Sequence, residues 1–277
     1  MLPILLALGT AVGYGVANYL APVLGRRMPL AAVLLGSQVA GLAVSFLLTL
    51  GADLRMTGPG LAFALAAGVS NAGALACFYR AGRTGNLSVL SPIAASGAIV
   101  PVLVGLAAGD RPSPLQAAGI PLVMAGVVLA ARRPSAASGV RRTDGVGWAL
   151  LAGALFGTFL ATYAGAAADT SAGALLWSRV ALVVSTGLGI ALLRAPVRVT
   201  PRDGGLVLVP GLLLALGTFA FGEATRLGLL SVVSVIATLN PVVTVVLAYL
   251  LLRERPARVQ RAGAVLALAG IALLAAG

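Results

Sequence analysis

Arg111-Pro-Ser-Pro-Leu-Gln-Ala-Ala-Gly-Ile-Pro-Leu-Val-Met-Ala-Gly-Val-Val-Leu-Ala-Ala131 returns 144 residues later as Arg255-Pro-Ala-Arg-Val-Gln-Arg-Ala-Gly-Ala-Val-Leu-Ala-Leu-Ala-Gly-Ile-Ala-Leu-Leu-Ala275, with ten of 21 positions identical. The matches include Arg111/Arg255, Pro112/Pro256, Gln116/Gln260 and Gly119/Gly263. A second stretch behaves in the same way. Phe78-Tyr-Arg-Ala-Gly-Arg-Thr-Gly-Asn-Leu-Ser-Val89 aligns with Phe221-Gly-Glu-Ala-Thr-Arg-Leu-Gly-Leu-Leu-Ser-Val232 at an offset of 143, with seven of twelve positions identical. Near the two starts, Gly9/Gly153, Gly13/Gly157, Ala17/Ala161 and Tyr19/Tyr163 match as well. Any two apolar segments share scattered Ala and Leu. Shared Arg, Pro, Gln and Ser at nearly one offset along the whole chain mark an internal duplication.

The residues between these landmarks are too apolar for a water-soluble surface. Hydrophobic residues make up 60% of the 277 and charged residues 9%, with a mean hydropathy of +1.05. No polar shell can be drawn from that composition, whereas a lipid-facing surface needs none. A membrane span takes roughly 20 apolar residues, and ten such stretches read at 2–21, 31–51, 59–79, 87–108, 114–131, 146–166, 173–193, 205–225, 230–252 and 259–276. They are apolar on all faces, unlike the alternating strands of a barrel, so the fold class is an all-α polytopic membrane protein. The longest polar stretch runs from Arg132 to Gly145. It divides the chain into a first five-helix repeat at 1–133, a basic linker loop at 134–145 and a second five-helix repeat at 146–277.

Five is odd, so the second copy must enter the bilayer from the side opposite to the first. The copies are then inverted about a pseudo-two-fold axis in the membrane plane, the recurrent architecture of secondary transporters that work by alternating access.

The net charge of +12 comes wholly from arginine, since the chain has no lysine. Fifteen arginines fall in one set of alternate loops (26, 27, 80, 83, 132, 133, 141, 142, 194, 198, 202, 253, 255, 258 and 261), against Arg55, Arg111 and Arg226 in the other. The first set is expected in the cytoplasm, which places both termini outside a multi-pass protein of the plasma or inner membrane. The arginines suit headgroups and topology, and no nucleic-acid partner is expected. Arg26 is the first charged residue and nothing basic precedes the first apolar run, so that run reads as a span and not as a signal peptide. The single cysteine, Cys77, excludes an intramolecular disulfide.

The duplicated motifs also carry a resemblance. Asn240-Pro241-Val-Val, then Glu254 in Leu-Leu-Leu-Arg-Glu-Arg-Pro, then Gln260-x-x-Gly263, are similar to the Ser-Pro-Val, Leu-Leu-Leu-Gly-Glu and Gln-x-x-Gly signature of the EamA-type branch of the drug/metabolite transporter superfamily. A degraded copy stands in the first half at Ser96-Gly97, Gly109-Asp110-Arg-Pro and Gln116-x-x-Gly119, without the proline at position 97. Members often carry an arginine in the second span of each unit. Arg179 fits in Leu-Trp-Ser-Arg-Val-Ala, while Leu-Gly-Ser-Gln-Val-Ala of the first half has Gln38. The resemblance implies ten spans, a central cavity and export or exchange of small metabolites such as amino acids or drugs.

Residue chemistry supplies the candidates for a site. Arg179 is an ionisable group within a span, costly unless it meets an anion, carbonyls or water. It reads either as a structural anchor or as a cavity cation for a substrate carboxylate. Glu223 is the coupling-proton candidate. It can pair with Arg179, or with Arg226 one helical turn away. Tyr14 and Asn18 share a helix face four residues apart, and their counterparts Thr158 and Thr162 do the same. These faces either bond neighbouring helices or line a cavity. Gln38, Asn71, Tyr79, Ser96, Tyr163, Trp177 and Asn240 complete the substrate-binding candidates. The rows Gly9/Gly13/Ala17 and Gly153/Gly157/Ala161 read as close helix packing, and Pro92, Pro101 and Pro241 as breaks in the fourth and ninth spans.

Enzymatic chemistry is not expected. The chain has no histidine, its seven acidic residues form no spaced pair within a span, and no phosphate-binding glycine loop appears. No catalytic residue, cofactor or metal is assigned. The expected partners are the bilayer, a small-molecule substrate and protons, with the chain acting as a monomer or homodimer. Two readings stand beside a transporter: a non-transporting membrane scaffold or partner subunit, and a lipid-handling protein.

Overall fold

In the computed structural model, residues 1–25, 27–84, 93–131, 145–194, 201–252 and 257–277 are described. They fold into helices α1 (Leu2–Gly25), α2 (Leu30–Leu48), α3 (Gly58–Thr84), α4 (Ile99–Ala107), α5 (Pro114–Ala131), α6 (Val146–Asp169), α7 (Ser171–Leu192), α8 (Pro201–Leu227), α9 (Leu230–Ala237), α10 (Asn240–Leu252) and α11 (Arg258–Ala276). Among the described residues, nine helical stretches are long and apolar enough to cross a membrane, with α9 and α10 together forming one, and 93–107 is a shorter apolar helix. The protein is an all-helical, multi-pass membrane protein. Pro92, Glu254 and the linker residues 134–144 lie outside the described residues.

The break expected at Pro101 in the fourth span, read over 87–108, lies a few residues earlier. The described part of that span is a helix broken by a tight turn at Ser96–Ala98 before α4 begins. The ninth span breaks in the corresponding place, between Ala237 and Asn240. Pro241 explains the second break, since it has no N–H to give the preceding turn. The first has no proline at the break, because Pro101 sits in the first turn of α4, where the missing N–H is harmless. Gly97 stands there instead. A Cβ on Gly97 would overlap the carbonyl oxygen of Gly153, and one on Gly157 would overlap that of Gly97. The small-residue row of α6 thus receives the broken helix backbone to backbone.

The helices pack mainly across the two halves, in matched sets. α1 lies on α8 as α6 lies on α3, and α2 lies on α8 as α7 lies on α3. α1 meets α9 and α10 as α6 meets α4 and its turn, while α2 meets α7 and α5 meets α11. The last pair runs antiparallel on glycine: a Cβ on Gly119 would stand 3.0 Å from Gly270 O, and one on Gly263 would stand 2.7 Å from Gly126 O. Each fifth helix begins the same way. Gln116 Oε1 accepts from the Ser113 N–H at 3.1 Å, and Gln260 Oε1 from the Ala257 N–H at 3.0 Å. The Gln-x-x-Gly motif is therefore a helix start followed one turn later by a close crossing.

Two carboxylates tie helix ends across the halves. After α4 the chain closes a six-to-one turn, with Asp110 N bonded to Gly105 O at 2.9 Å and Gly109 at φ 105°. This is the glycine-requiring helix stop. It aims Asp110 Oδ2 at the Ser231 N–H, 2.7 Å away in the first turn of α9, where unpaired amides favour an anion. At the other tie, Asp169 Oδ2 accepts from the Thr57 N–H at 2.6 Å and the Thr57 hydroxyl at 3.0 Å. Thr57 Oγ1 in turn accepts from the Gly60 N–H at 3.1 Å, capping α3.

Candidate functional site

Among the described residues the buried charged side chain is Arg179, only 3% exposed. It sits eight residues into α7, about 12 Å along the helix. Its Nη1 donates to Gln38 Oε1 on α2 at 3.0 Å. Its Nη2 donates to Leu214 O on α8 and to Thr218 Oγ1, the latter at 2.5 Å. Thr218 Oγ1 donates to Leu214 O at 2.7 Å and lies 2.9 Å from the Tyr14 hydroxyl of α1. One guanidinium thereby joins α1, α2, α7 and α8. Its Nη1 and Nη2 thus meet neutral acceptors, while its buried Nε has no hydrogen-bond partner among the described residues. Thr218 and the Leu214 carbonyl carried no sequence signal, since the tie depends on which turn of α8 faces α7.

No Arg179–Glu223 pair forms. Glu223 Oε1 instead meets Arg226 Nη1 at 3.5 Å along the same helix. Tyr163 is fully buried, with its ring among Phe159 and Phe221 at centroid distances of 6.0 and 6.2 Å. Its hydroxyl has no hydrogen-bond partner among the described residues.

Separate from the Arg179 cluster is a cleft of about 470 Å³ between the halves. Phe63 of α3 and Val100 and Val104 of α4 form one wall. Thr158, Ala161, Thr162 and Gly165 of α6 form the other, and Thr225 and Leu230 close the back. Its lining lies toward the start of α3 and the ends of α6 and α8, the side of Arg55 and Arg226. The Asp169–Thr57 tie holds the start of α3, hence Phe63, beside the end of α6. Thr158 and Thr162 were found by their four-residue spacing. Phe63, Val100, Val104 and Thr225 were not, because nothing distinguishes them in sequence from lipid-facing neighbours.

The remaining candidates lie outside both groups. Asn18 is exposed on α1, and Ser96 is exposed and donates to Ile93 O at 2.7 Å. Trp177 is 37% exposed on α7. Asn71 and Tyr79 are half-buried on α3, with Tyr79 edge-on to Phe78. Asn240 starts α10, where its carbonyl accepts from the Thr244 hydroxyl at 2.9 Å. The structure therefore brings Tyr14, Gln38 and Arg179 together, places Thr158 and Thr162 in the cleft, and scatters the rest.

Comparison with known proteins places this arrangement. Twenty-eight chains of solved structures match this one. One, described only as the crystal structure of a protein, aligns with a TM-score of 0.82 at 15% identity, covering 98% of this chain and 95% of that one, and shows a shared fold. No curated protein matches. Residues 143–276 match the model of the EamA-like transporter family. That second half, with its broken ninth span and its Gln260-x-x-Gly263 helix start, is an EamA-like transporter family unit.

Proposed function

We propose that the chain is a secondary carrier that moves a small molecule across the cell membrane by alternating access, as an exporter, exchanger or facilitator, and catalyses no bond-making. The observation that carries this reading is the cleft: it lies between the halves, draws walls from both, and runs from one end of the bundle inward to Thr158, eleven residues from the end of α6. The matched packing pairs support two inverted units, 1–133 and 146–277. In such a pair, an opening at one face has a structural counterpart at the other, reached when the halves exchange shapes.

By arginine count, the cleft faces outward and both termini lie outside. Glu223, half-buried on α8 two residues before Thr225 and on another face of that helix, is the group through which protons would couple.

The test is solute counterflow in vesicles reconstituted with the purified chain. Flux that saturates with substrate supports a carrier. A sealed, folded protein that moves no solute is a scaffold, and one that moves only labelled phospholipid handles lipid; either outcome removes the carrier reading.

A further inference from the structure

If the cleft is the transport site proposed above, its chemistry limits what can enter. Among the described residues its lining carries three hydroxyls and no ionisable side chain. Each hydroxyl proton is already given to its own helix: Thr158 Oγ1 to Ala154 O at 2.9 Å, Thr162 Oγ1 to Thr158 O at 2.7 Å, and Thr225 Oγ1 to Gly222 O at 2.9 Å. A threonine hydroxyl has one proton and two lone pairs, so only acceptor capacity remains for a ligand. The other walls are aliphatic or aromatic, with Phe63 46% exposed.

The cation that could have met an anion is not available. Arg179 lines no part of the cleft, and its Nη1 and Nη2 are held by Gln38, Leu214 and Thr218. A carboxylate or phosphate entering the cleft would lose its hydration and gain no donor, a cost that apolar burial does not offset. A protonated amine would find acceptors but no counter-charge. A lipid acyl chain would fit the walls and make no use of the hydroxyls.

We infer that the cleft binds an uncharged, largely apolar molecule bearing N–H or O–H donors, and selects against carboxylates, phosphates and molecules without donors. Thr158, Thr162 and Thr225 are the specificity-determining residues. Amino-acid zwitterions, which the family resemblance suggests, fall on the excluded side.

The probe is indole, a flat apolar molecule with one N–H donor, measured by equilibrium binding to the full chain in lipid nanodiscs. Its partners are 1-methylindole, which lacks the donor, and indole-3-carboxylate, which adds the charge. The expected result is saturable indole binding, with 1-methylindole roughly tenfold weaker, the value of one neutral hydrogen bond, and no competition from the carboxylate. The variant T158V/T162V/T225V keeps the shape and removes all three acceptors. It should bring indole down to the affinity of 1-methylindole and leave 1-methylindole unchanged. If that variant does not fold, T225V and T158V singly are read for the same loss of preference.

Equal binding of indole and its methyl derivative, competition by the carboxylate, a preference that survives the folded valine variants, or no saturable indole binding would each overturn the proposal. Binding is read without flux. Donor-selective binding in a chain that moves no solute would therefore sink the carrier reading and leave this one standing.

Discussion

Arg179 Nη1 donates to Gln38 Oε1 at 3.0 Å, and the two residues hold the same place in their repeats, Leu35-Gly-Ser-Gln-Val-Ala40 and Leu176-Trp-Ser-Arg-Val-Ala181. Copies of one position can touch only where the pseudo-symmetry axis passes between them. At such a point the copies cannot both be cations. One must become an acceptor, and Gln38 is that acceptor.

The charge of residue 38 should therefore control folding. Gln38→Arg sets two guanidinium groups against each other in the bundle interior and should abolish recovery of folded protein. Gln38→Glu gives Arg179 a counter-ion and should melt at or above the wild-type temperature. Size-exclusion profiles and melting curves in detergent report both. A well-behaved Gln38→Arg would refute the axis contact.

Within the same cluster, Thr218→Val should cost more than Tyr14→Phe. Thr218 serves Arg179 and Tyr14 at once, so its loss leaves a buried cation short of an acceptor, about 1–3 kcal/mol. Removing the Tyr14 hydroxyl deletes one neutral bond and leaves Thr218 with Arg179, about 1 kcal/mol or less. The ranking is read from unfolding midpoints, and the reverse order would contradict the hydrogen-bond assignment.

Glycine substitutions should split sharply by position. Gly97→Ala drives a methyl group into the Gly153 carbonyl, so folded yield should fall steeply. Gly9→Ala meets nothing within 4 Å and should behave as wild type. The pair distinguishes a steric requirement from a general need for helix flexibility.

Asp110 should act on the opposite half. Asp110→Ala removes the acceptor for the Ser231 N–H, and its cost should be about 1 kcal/mol, as for a lost helix cap. Hydrogen exchange should quicken in the first turn of α9, not in α4. Glu223→Gln, by contrast, disturbs only a surface pair and should shift stability by less than about 1 kcal/mol.

Span positions were legible because each fifth helix carries its own boundary signals. Pro112 to Gln116 announces the start of α5, and the read span 114–131 coincides with the observed helix. The fourth span's break was read from Pro92 and Pro101, whereas among the described residues it falls at Ser96–Ala98, beside a backbone contact between Gly97 and Gly153 that no local pattern shows. The local Glu223–Arg226 pair was legible at three-residue spacing, whereas the partners of Arg179 were not, being set by the relative height of α2, α7 and α8. The two polar pairs looked equivalent in sequence. The fold uses them differently: Tyr14 is drawn into the arginine cluster and Asn18 left exposed, while Thr158 and Thr162 face the cleft.

The crossing of α5 and α11 has a bearing on how the chain meets its own copies. Gly119, Gly126, Gly263 and Gly270 are all buried there, each copy's early glycine seated against the other copy's late one. This is the self-complementary patch by which two free five-helix units would pair. Fusion into one polypeptide has already satisfied it. A second molecule approaching the bundle finds that seam occupied, so self-association of this chain must use a different face, and co-expressed halves should find each other without the loop that joins them.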